Sequence, residues 1–240
     1  MHGWGVRGNV FDPLARRLAS HRCVTVVDLP GYGASTWQPD IVDLDTLAAA
    51  VAEAVPDGAA VLGWSLGGLL ALELAGLRDI EAVILISSTP RFAAADDWRC
   101  GVRQQDLEHF RKTLENDPAH CLDDFVVLSA RGDRRAAEVL RKLRAIPSAP
   151  HAQALRVGLD ILAAADLRAG LTSIDVPAFI VAGGRDSLVP PAAARFMAAK
   201  LPRGRLYPMP EAAHAPFIDR EAELAPAIDA FLAAQARMNV

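Results

Sequence analysis

The stretch Gly63-Trp64-Ser65-Leu66-Gly67 fits the pattern G-x-S-x-G and decides how the rest of the chain is interpreted. Directly before it, Ala59 to Leu62 is a short apolar run typical of a strand, and after it Leu66 to Ala75 has the apolar spacing of a helix. A strand, a sharp turn and a helix are the setting in which this pattern presents a nucleophilic serine. We therefore predict that Ser65 is a catalytic nucleophile on a parallel sheet.

The glycines of the pattern support the same interpretation. The serine has to sit on a tight, strained turn, and Gly63 and Gly67 leave room for the backbone to pass closely. A helix that begins at Leu66 also directs free N–H groups at developing negative charge. The alternative is that Ser65 only caps an ordinary helix.

Strand-like and helical patterns alternate outside this stretch. Leu44 to Val55 is Ala-rich with helical spacing, and Glu221 to Arg237 is expected to form a closing helix. Further strands are predicted at four places: Cys23 to Asp28, Val83 to Ile86, Pro177 to Ala182, and around Leu206-Tyr207. This alternation predicts an α/β fold with a parallel sheet covered by helices.

Residues 96–165 differ from the rest of the chain because they are charged and lack a β-rich run of comparable strength. Asp106 to Glu115, Leu122 to Ser129 and Arg134 to Arg144 are predicted to be short helices. We expect residues 96–165 to be a helical cap inserted into one domain, whose core is formed by residues 1–95 and 166–240.

The partners of the nucleophile are predicted from chain order, which for this pattern is Ser, then an acid, then His. Asp186 follows the predicted strand that ends at Ala182, and His214 lies in the later loop Glu211 to Phe217. A His can take the serine proton near neutral pH, and a carboxylate on its other nitrogen fixes the tautomer. Asp219 is the nearest rival acid, but it follows His214 and breaks the order.

Acyl transfer also needs two donors for the oxyanion. The N–H of Leu66, the residue after the nucleophile, is the first candidate. The only earlier loop with suitable glycines is His2-Gly3-Trp4-Gly5, and we assign the second donor to the backbone N–H of Trp4.

Composition excludes several other classes. The net charge of −4 is too mild to indicate nucleic-acid binding, and no apolar run is long enough for a membrane span. Three cysteines without a CxxC pair indicate a reducing compartment, and no secretory signal pattern begins the chain, so a cytoplasmic location is expected. No His, Cys and acid cluster has metal-ligand spacing.

One segment is locally basic, which suggests attraction for an anionic partner. A solvated helix face is the alternative, and the charge alone does not decide between them. Only Asp133 and Glu138 oppose its six basic residues, which are Arg131, Arg134, Arg135, Arg141, Lys142 and Arg144.

With these features assembled, the chain resembles the pimeloyl-acyl-carrier-protein methyl ester esterases of biotin synthesis, which have the α/β-hydrolase fold. The resemblance covers nearly the whole chain. It is carried by His2-Gly3-Trp4-Gly5, Asp28 to Gly33, Leu62 to Leu69, Gly158 to Leu162 with Asp166-Leu167-Arg168, and Ala212-Ala213-His214-Ala215-Pro216-Phe217. The Trp beside the nucleophile and the A-A-H-A-P-F run distinguish this family from other hydrolases.

The resemblance implies a carboxylesterase that needs no cofactor and acts on a pimeloyl methyl ester carried on acyl-carrier protein. A monomer is expected, although the sequence does not fix the oligomeric state. It also implies that Phe125, Val126, Val127, Leu128 and Ser129 line the acyl channel beside Trp4. Docking of the acidic carrier is expected on the basic cap residues Arg131, Arg134, Arg135 and Arg141. Asp124 departs from the basic residue expected at that position.

A second departure concerns the start of the chain. Family members normally carry a strand before the H-G-W-G loop, between the strands that end near Asp28 and Gly63. The resemblance therefore implies a reading frame that starts upstream of Met1, or a sheet that pairs imperfectly.

Two other readings stay open at this point. The same triad serves general short-chain esterases, carbon–carbon-bond hydrolases and perhydrolases, and the sequence does not fix acyl-chain length or carrier preference. A non-catalytic or truncated binding module on the same fold is the third reading.

Overall fold

The computed structural model describes residues 1–237. Within them, four parallel strands form one sheet in the order β1-β2-β3-β4. The strands are β1 (Ala59–Trp64), β2 (Ile80–Ile86), β3 (Ala178–Gly183) and β4 (Gly204–Met209). Each strand that the sequence predicted from Ala59 onward is therefore confirmed.

Helices connect and cover these strands. Those outside the middle segment are α1 (Asp12–Leu18), α2 (Leu44–Ala52), α3 (Leu66–Leu77), α8 (Pro191–Lys200) and α9 (Glu221–Ala236). The helices α4 (Gln104–Asn116), α5 (Pro118–Ala130), α6 (Ala136–Arg144) and α7 (Ala152–Ala164) lie between β2 and β3. The sequence patterns did not predict α1, α7 and α8 as individual helices. This architecture is the α/β fold that the alternation predicted.

The core lies on both faces of the sheet. Every residue of β3 is buried, and in β2 all but Glu81 are buried, because helices pack against both faces of a parallel sheet. The helix α3 packs on β1 and β2, and α8 packs on β3 and β4. The carboxyl ends of these strands therefore meet at one edge, where loops carry the candidate site.

The two ends of the middle segment lie next to each other, where the chain leaves the core and returns to it. Arg91 and Asp166 form an antiparallel bridge and an ion pair of 2.5 Å, and the Leu167 N–H donates to the Pro90 carbonyl. Helix α5 packs on α4 and α6, and α7 packs on α4. We call residues 96–165 the insertion, as in the prediction.

The predicted strand Cys23 to Asp28 is wrong. Its residues belong to no strand, because a strand needs a hydrogen-bonded neighbour and none of the described residues pairs with them. A groove of about 600 Å³ lies here instead, lined on one side by residues 23–27 and on the other by residues 58–62. Met1 reaches one end of the groove, where its amino group donates to the Leu62 carbonyl and its carbonyl accepts from the Trp64 N–H.

Candidate active site

Ser65 occupies a strained turn between β1 and α3. Its φ of 54° and ψ of −116° lie outside the regions that non-glycine residues favour. The turn is held because the Ser65 N–H donates to the Ile86 carbonyl at the end of β2. A side chain at Gly63 would collide with the Gly67 carbonyl, so the pattern needs glycine here for steric reasons. Such strain is typical of a nucleophile that projects from a sheet edge.

His214 and Asp186 come together as the sequence predicted. His214 Nδ1 lies 2.8 Å from Asp186 Oδ2, and both side chains are almost fully buried. The other oxygen, Oδ1, accepts hydrogen bonds from the N–H groups of Leu188 and Val189. A carboxylate held in this way orients the ring so that Nδ1 carries the proton and Nε2 is available as a base.

The Nε2 atom of His214 is buried and has no hydrogen-bond partner among residues 1–237. Trp64, at the end of β1, contacts the loop that carries His214. Its indole N–H donates to the His214 carbonyl at 2.8 Å, and the two rings lie 5.6 Å apart. Hydrogen bonds between nucleophile and base are often long before substrate binds. The arrangement leaves Nε2 as the free proton acceptor of the site.

The loop His2 to Gly5 lies directly on the nucleophile. A Cβ at Gly3 would sit 3.3 Å from the Ser65 Cβ and 3.1 Å from the Trp64 ring. Leu66 is the first residue of α3, so its N–H has no acceptor within the helix. The loop His2 to Gly5 and the Leu66 N–H, both assigned to the oxyanion, therefore lie beside each other at the positive N-terminal end of α3.

His2 positions this loop, a role that the sequence analysis did not assign. Its ring is fully buried, Nε2 accepts from the Leu29 N–H at 2.9 Å, and Nδ1 lies 2.8 Å from the Gly3 carbonyl. Burial lowers the pKa of His2 to about 4, so the ring is neutral at pH 7 with its proton on Nδ1. The only signal in the sequence is the histidine's place beside the glycines.

One side chain of the expected acyl-channel residues faces the site directly. The Phe125 ring lies 5.4 Å from Trp4 and 6.2 Å from both Trp64 and His214. Ser129, one helical turn later, is buried, and its carbonyl accepts from the His214 N–H. Val126 and Leu128 are partly buried, and Val127 is 38% exposed. A helix cannot bring five consecutive residues to one face, which is why the expected lining narrows to the Phe125 side.

The basic residues of the insertion lie on its surface, and several already have acidic partners. Arg131 and Arg134 are exposed, and Arg134 lies 3.7 Å from Glu211. The other pairs are Arg135 with Asp219, Arg141 with Glu138, Lys142 with Asp219, and Arg144 with Asp123. The exposed pairs among them contribute little to stability, because solvent and salt screen their charges.

Two further observations bear on the class of protein. Among residues 1–237, no group of three or more His, Cys, Asp or Glu side chains is arranged to hold a metal ion. In the same part of the chain, no helix combines the length and the apolar character that crossing a membrane requires.

A strained serine after the first strand and a buried His–Asp pair on later loops define a hydrolase of the α/β-hydrolase type. The family model described as "Alpha/beta hydrolase family" matches residues 1–227, and the chain belongs to that family.

Curated relatives narrow the class to esterases. A pimeloyl-acyl-carrier-protein methyl ester esterase from Xanthomonas campestris pv. campestris (strain B100) is 38% identical over 238 residues, which are 98% of this chain and 94% of that protein. Proteins of the same name from Stenotrophomonas maltophilia (strain K279a) and Chromobacterium violaceum are 38% and 36% identical and cover 98% of this chain, with 92% and 94% of their own lengths. This protein is a carboxylic ester hydrolase.

Solved structures agree on the fold. An esterase from Exiguobacterium antarcticum superposes with a TM-score of 0.85 at 22% identity, covering 97% of this chain and 90% of that one. An enol-lactonase from Burkholderia xenovorans gives a TM-score of 0.82 at 23% identity, covering 97% and 89%. At this level of identity, the likeness establishes the fold alone.

Proposed function

We propose that this chain hydrolyses the methyl ester of a pimeloyl group carried on acyl-carrier protein, through an acyl-enzyme formed on Ser65. The chemistry rests chiefly on one observation, the buried His214–Asp186 pair with its free Nε2. The choice of substrate rests on the relatives, which carry that activity in their names at 36–38% identity over nearly the whole chain.

The reaction proceeds in two half-reactions. Ser65 Oγ attacks the ester carbonyl while His214 Nε2 takes its proton, and Asp186 stabilises the imidazolium that forms. The tetrahedral intermediate collapses when His214 returns the proton to the departing methoxide, which leaves as methanol. Water then attacks the acyl-enzyme while His214 Nε2 takes its proton. As the bond from the acyl carbon to Ser65 Oγ breaks, His214 returns the proton to Oγ, and the acid product is released and ionises to the carboxylate.

The negative charge of each intermediate develops on the former carbonyl oxygen. In this proposal, the backbone N–H groups of Leu66 and Trp4 bind it, with the N-terminus of α3 behind them. The Trp4 side chain is fixed independently, because its indole N–H donates to the Leu155 carbonyl at 2.8 Å. A fixed side chain keeps the backbone of the loop in place, so little reorganisation is needed when charge appears.

The insertion acts as a lid in this proposal. Ser65 is only 5% exposed and the nearby crevice beside Leu66 has a volume of about 10 Å³, which cannot hold an acyl chain. Phe125, which packs 5.4 Å from the fixed Trp4 ring, would have to move away from it to admit the substrate. Carrier docking on the surface of the insertion would deliver the ester at that point, and a carrier-bound substrate fits the cytoplasmic location expected from the sequence.

Two substrates test the proposal, a carrier-bound pimeloyl methyl ester and p-nitrophenyl acetate. The wild type should hydrolyse both, and Ser65→Ala should hydrolyse neither. Hydrolysis of the small ester alone would favour a general short-chain esterase. Absence of both activities in a folded wild type would overturn the catalytic proposal and favour the binding-module reading.

Carrier docking is tested separately with Arg131→Gln/Arg134→Gln. Loss of these two surface charges should raise KM for the carrier-bound ester about tenfold and leave KM for p-nitrophenyl acetate unchanged. The matched control is Arg16→Gln/Arg17→Gln, which removes the same charge from exposed positions on α1. Equal effects on both substrates, or an equal effect of the control, would contradict docking on this surface.

A further inference from the structure

Asp133 and Arg220 form a buried ion pair between the insertion and the core. Arg220 Nη2 lies 2.6 Å from Asp133 Oδ1, and Arg220 Nη1 lies 3.1 Å from Oδ2. The side chain of Asp133 is fully buried, and that of Arg220 is 7% exposed. Asp133 lies in the turn between α5 and α6, and Arg220 lies at the start of α9.

The pair also forms hydrogen bonds with the backbone of the segment that carries His214. Asp133 Oδ2 accepts a hydrogen bond of 2.9 Å from the N–H of Ala213, the residue directly before His214. Arg220 Nη2 lies 3.4 Å from the carbonyl of Glu211, two residues further back. The Arg135 N–H donates to Asp133 Oδ1, so the carboxylate is fully used.

Neighbouring backbone contacts complete this attachment to the insertion. The Ser129 carbonyl accepts from the His214 N–H at 3.2 Å, and the Arg134 N–H donates to the Glu211 carbonyl at 3.0 Å. On the core side, the Arg185 N–H donates to the Ala212 carbonyl, and the Trp64 indole donates to the His214 carbonyl. The segment 211–214 is therefore clamped between the insertion and the sheet edge.

A buried ion pair is an inefficient way to stabilise a fold, because desolvation of the two charges offsets most of their attraction. What such a pair does provide is a rigid, directional hold on the groups it contacts. Here those groups are the backbone of the segment that must aim His214 Nε2 at Ser65. Misplacement of a catalytic group by about 1 Å can cost about 100-fold in rate.

We propose that Asp133 and Arg220 are positioning residues for His214. Through this pair, the insertion holds the backbone beside His214 and so orients the ring of the catalytic base toward Ser65. This inference rests on the proposed function, since it takes His214 as the base. Neither residue touches substrate or the reacting atoms. The insertion thus serves catalysis as well as covering the site.

The test uses Asp133→Asn in the full chain with p-nitrophenyl acetate as substrate. Asparagine keeps the size of the side chain but loses the charge that holds Arg220. We expect kcat per folded molecule to fall about 10- to 100-fold with KM changed less than about threefold. The low-field proton resonance of the His214–Asp186 bond should broaden or shift, a readout that is independent of turnover.

Two further variants separate positioning from stability. Asp123→Asn is the matched control, because it breaks the Asp123–Arg144 pair of the insertion, whose hydrogen bonds do not involve segment 211–214. It should leave kcat and the resonance unchanged. Asp133→Leu/Arg220→Met replaces the pair by apolar groups and leaves no unpaired buried charge, so Tm should recover in part relative to Asp133→Asn. The kcat should stay low, because the acceptor for the Ala213 N–H is gone. Recovery of kcat together with Tm would reduce the pair to a structural role and overturn the proposal.

Failure of this inference is distinguishable from failure of the proposed function. If Ser65→Ala abolishes hydrolysis while Asp133→Asn keeps wild-type kcat and an unchanged resonance, only the positioning role is overturned. If Ser65→Ala keeps its activity, the proposed mechanism itself is wrong.

Discussion

The two sides of β1 contrast sharply. At its carboxyl end, the Ser65 turn, the His214 segment and Asp186 are held by hydrogen bonds from β2, the insertion and the Trp64 indole. Along its flank, residues 58–62 face a groove of about 600 Å³ across from residues 23–27, and Met1 forms hydrogen bonds with Leu62 and Trp64 on this side of the strand. The turn at the end of β1 is thus fixed by hydrogen bonds from several elements, whereas the groove side of the same strand has few such bonds.

This contrast suggests that catalytic geometry and sheet stability are set in different places. The turn at Ser65 depends on the hydrogen bond from its N–H to Ile86 of β2 and on the close approach of Gly63 to Gly67. The flank depends on what pairs with β1 on its open side. The predictions below separate the two regions, beginning with the largest effect.

Asp186→Asn should lower kcat about 10⁴-fold, because an amide favours the wrong His214 tautomer and cannot stabilise the imidazolium. Steady-state hydrolysis of p-nitrophenyl acetate measures the effect. Asp219→Asn is the matched control, since that acid bonds to Arg135 and Lys142 at the surface, and it should keep most of the activity. The reverse result would make Asp219 the acid of the site and break the comparison at its catalytic end.

His2 lies between the two regions, and it should make stability depend on pH. Its pKa is lowered to about 4 in the fold, against about 6.5 in the unfolded chain, so the unfolded state binds a proton first as the pH falls. The contribution is therefore complete above pH 6.5 and is lost as the pH falls toward 4, by up to about 3 kcal/mol.

Urea unfolding of the wild type and His2→Gln between pH 4 and 7 measures this term. The variant should be less stable at pH 7, because the bond from Leu29 is altered, and its stability should change less over the interval. His21→Gln, at an exposed position, is the control. Equal pH slopes for the wild type and His2→Gln would contradict the prediction.

The smallest effect should appear on the open flank. Alternation along β1 directs the Leu62 N–H to the groove side, where Met1 bonds the Leu62 carbonyl, and directs the Val61 and Gly63 N–H groups toward β2. Amide exchange followed by NMR should be about 100-fold faster at Leu62 than at these two neighbours. Similar protection at all three amides would mean that the groove is closed in solution and that the contrast is wrong.

The comparison also explains which predictions succeeded. The strands β2 and β3 were predictable because both of their faces are buried and their runs are almost continuously apolar. Cys23 to Asp28 is also rich in β-branched residues but pairs with no strand in the described part of the chain. Composition alone does not show whether a segment has a hydrogen-bonded neighbour. Asp186 and His214 were predictable because the pattern around Ser65 fixes the order of its partners along the chain.

Contacts between distant residues were beyond the sequence patterns. Nothing in the pattern distinguishes Phe125 from Val127 until the helix phase is known relative to Trp4. Asp133 was counted only as an acid opposing a basic segment, whereas it lies buried against Arg220, 87 residues away in the chain.

The sequence alone determined the fold class, the strained turn at Ser65 and the order of its partners, because each depends on local steric demands and on spacing along the chain. The tertiary structure alone decided how His214 is held, which face of α5 meets the site, and that residues 23–28 pair with no strand among residues 1–237. Those features depend on side chains and backbone groups that are far apart in the chain, and only folding brings them within hydrogen-bond distance or keeps them out of it.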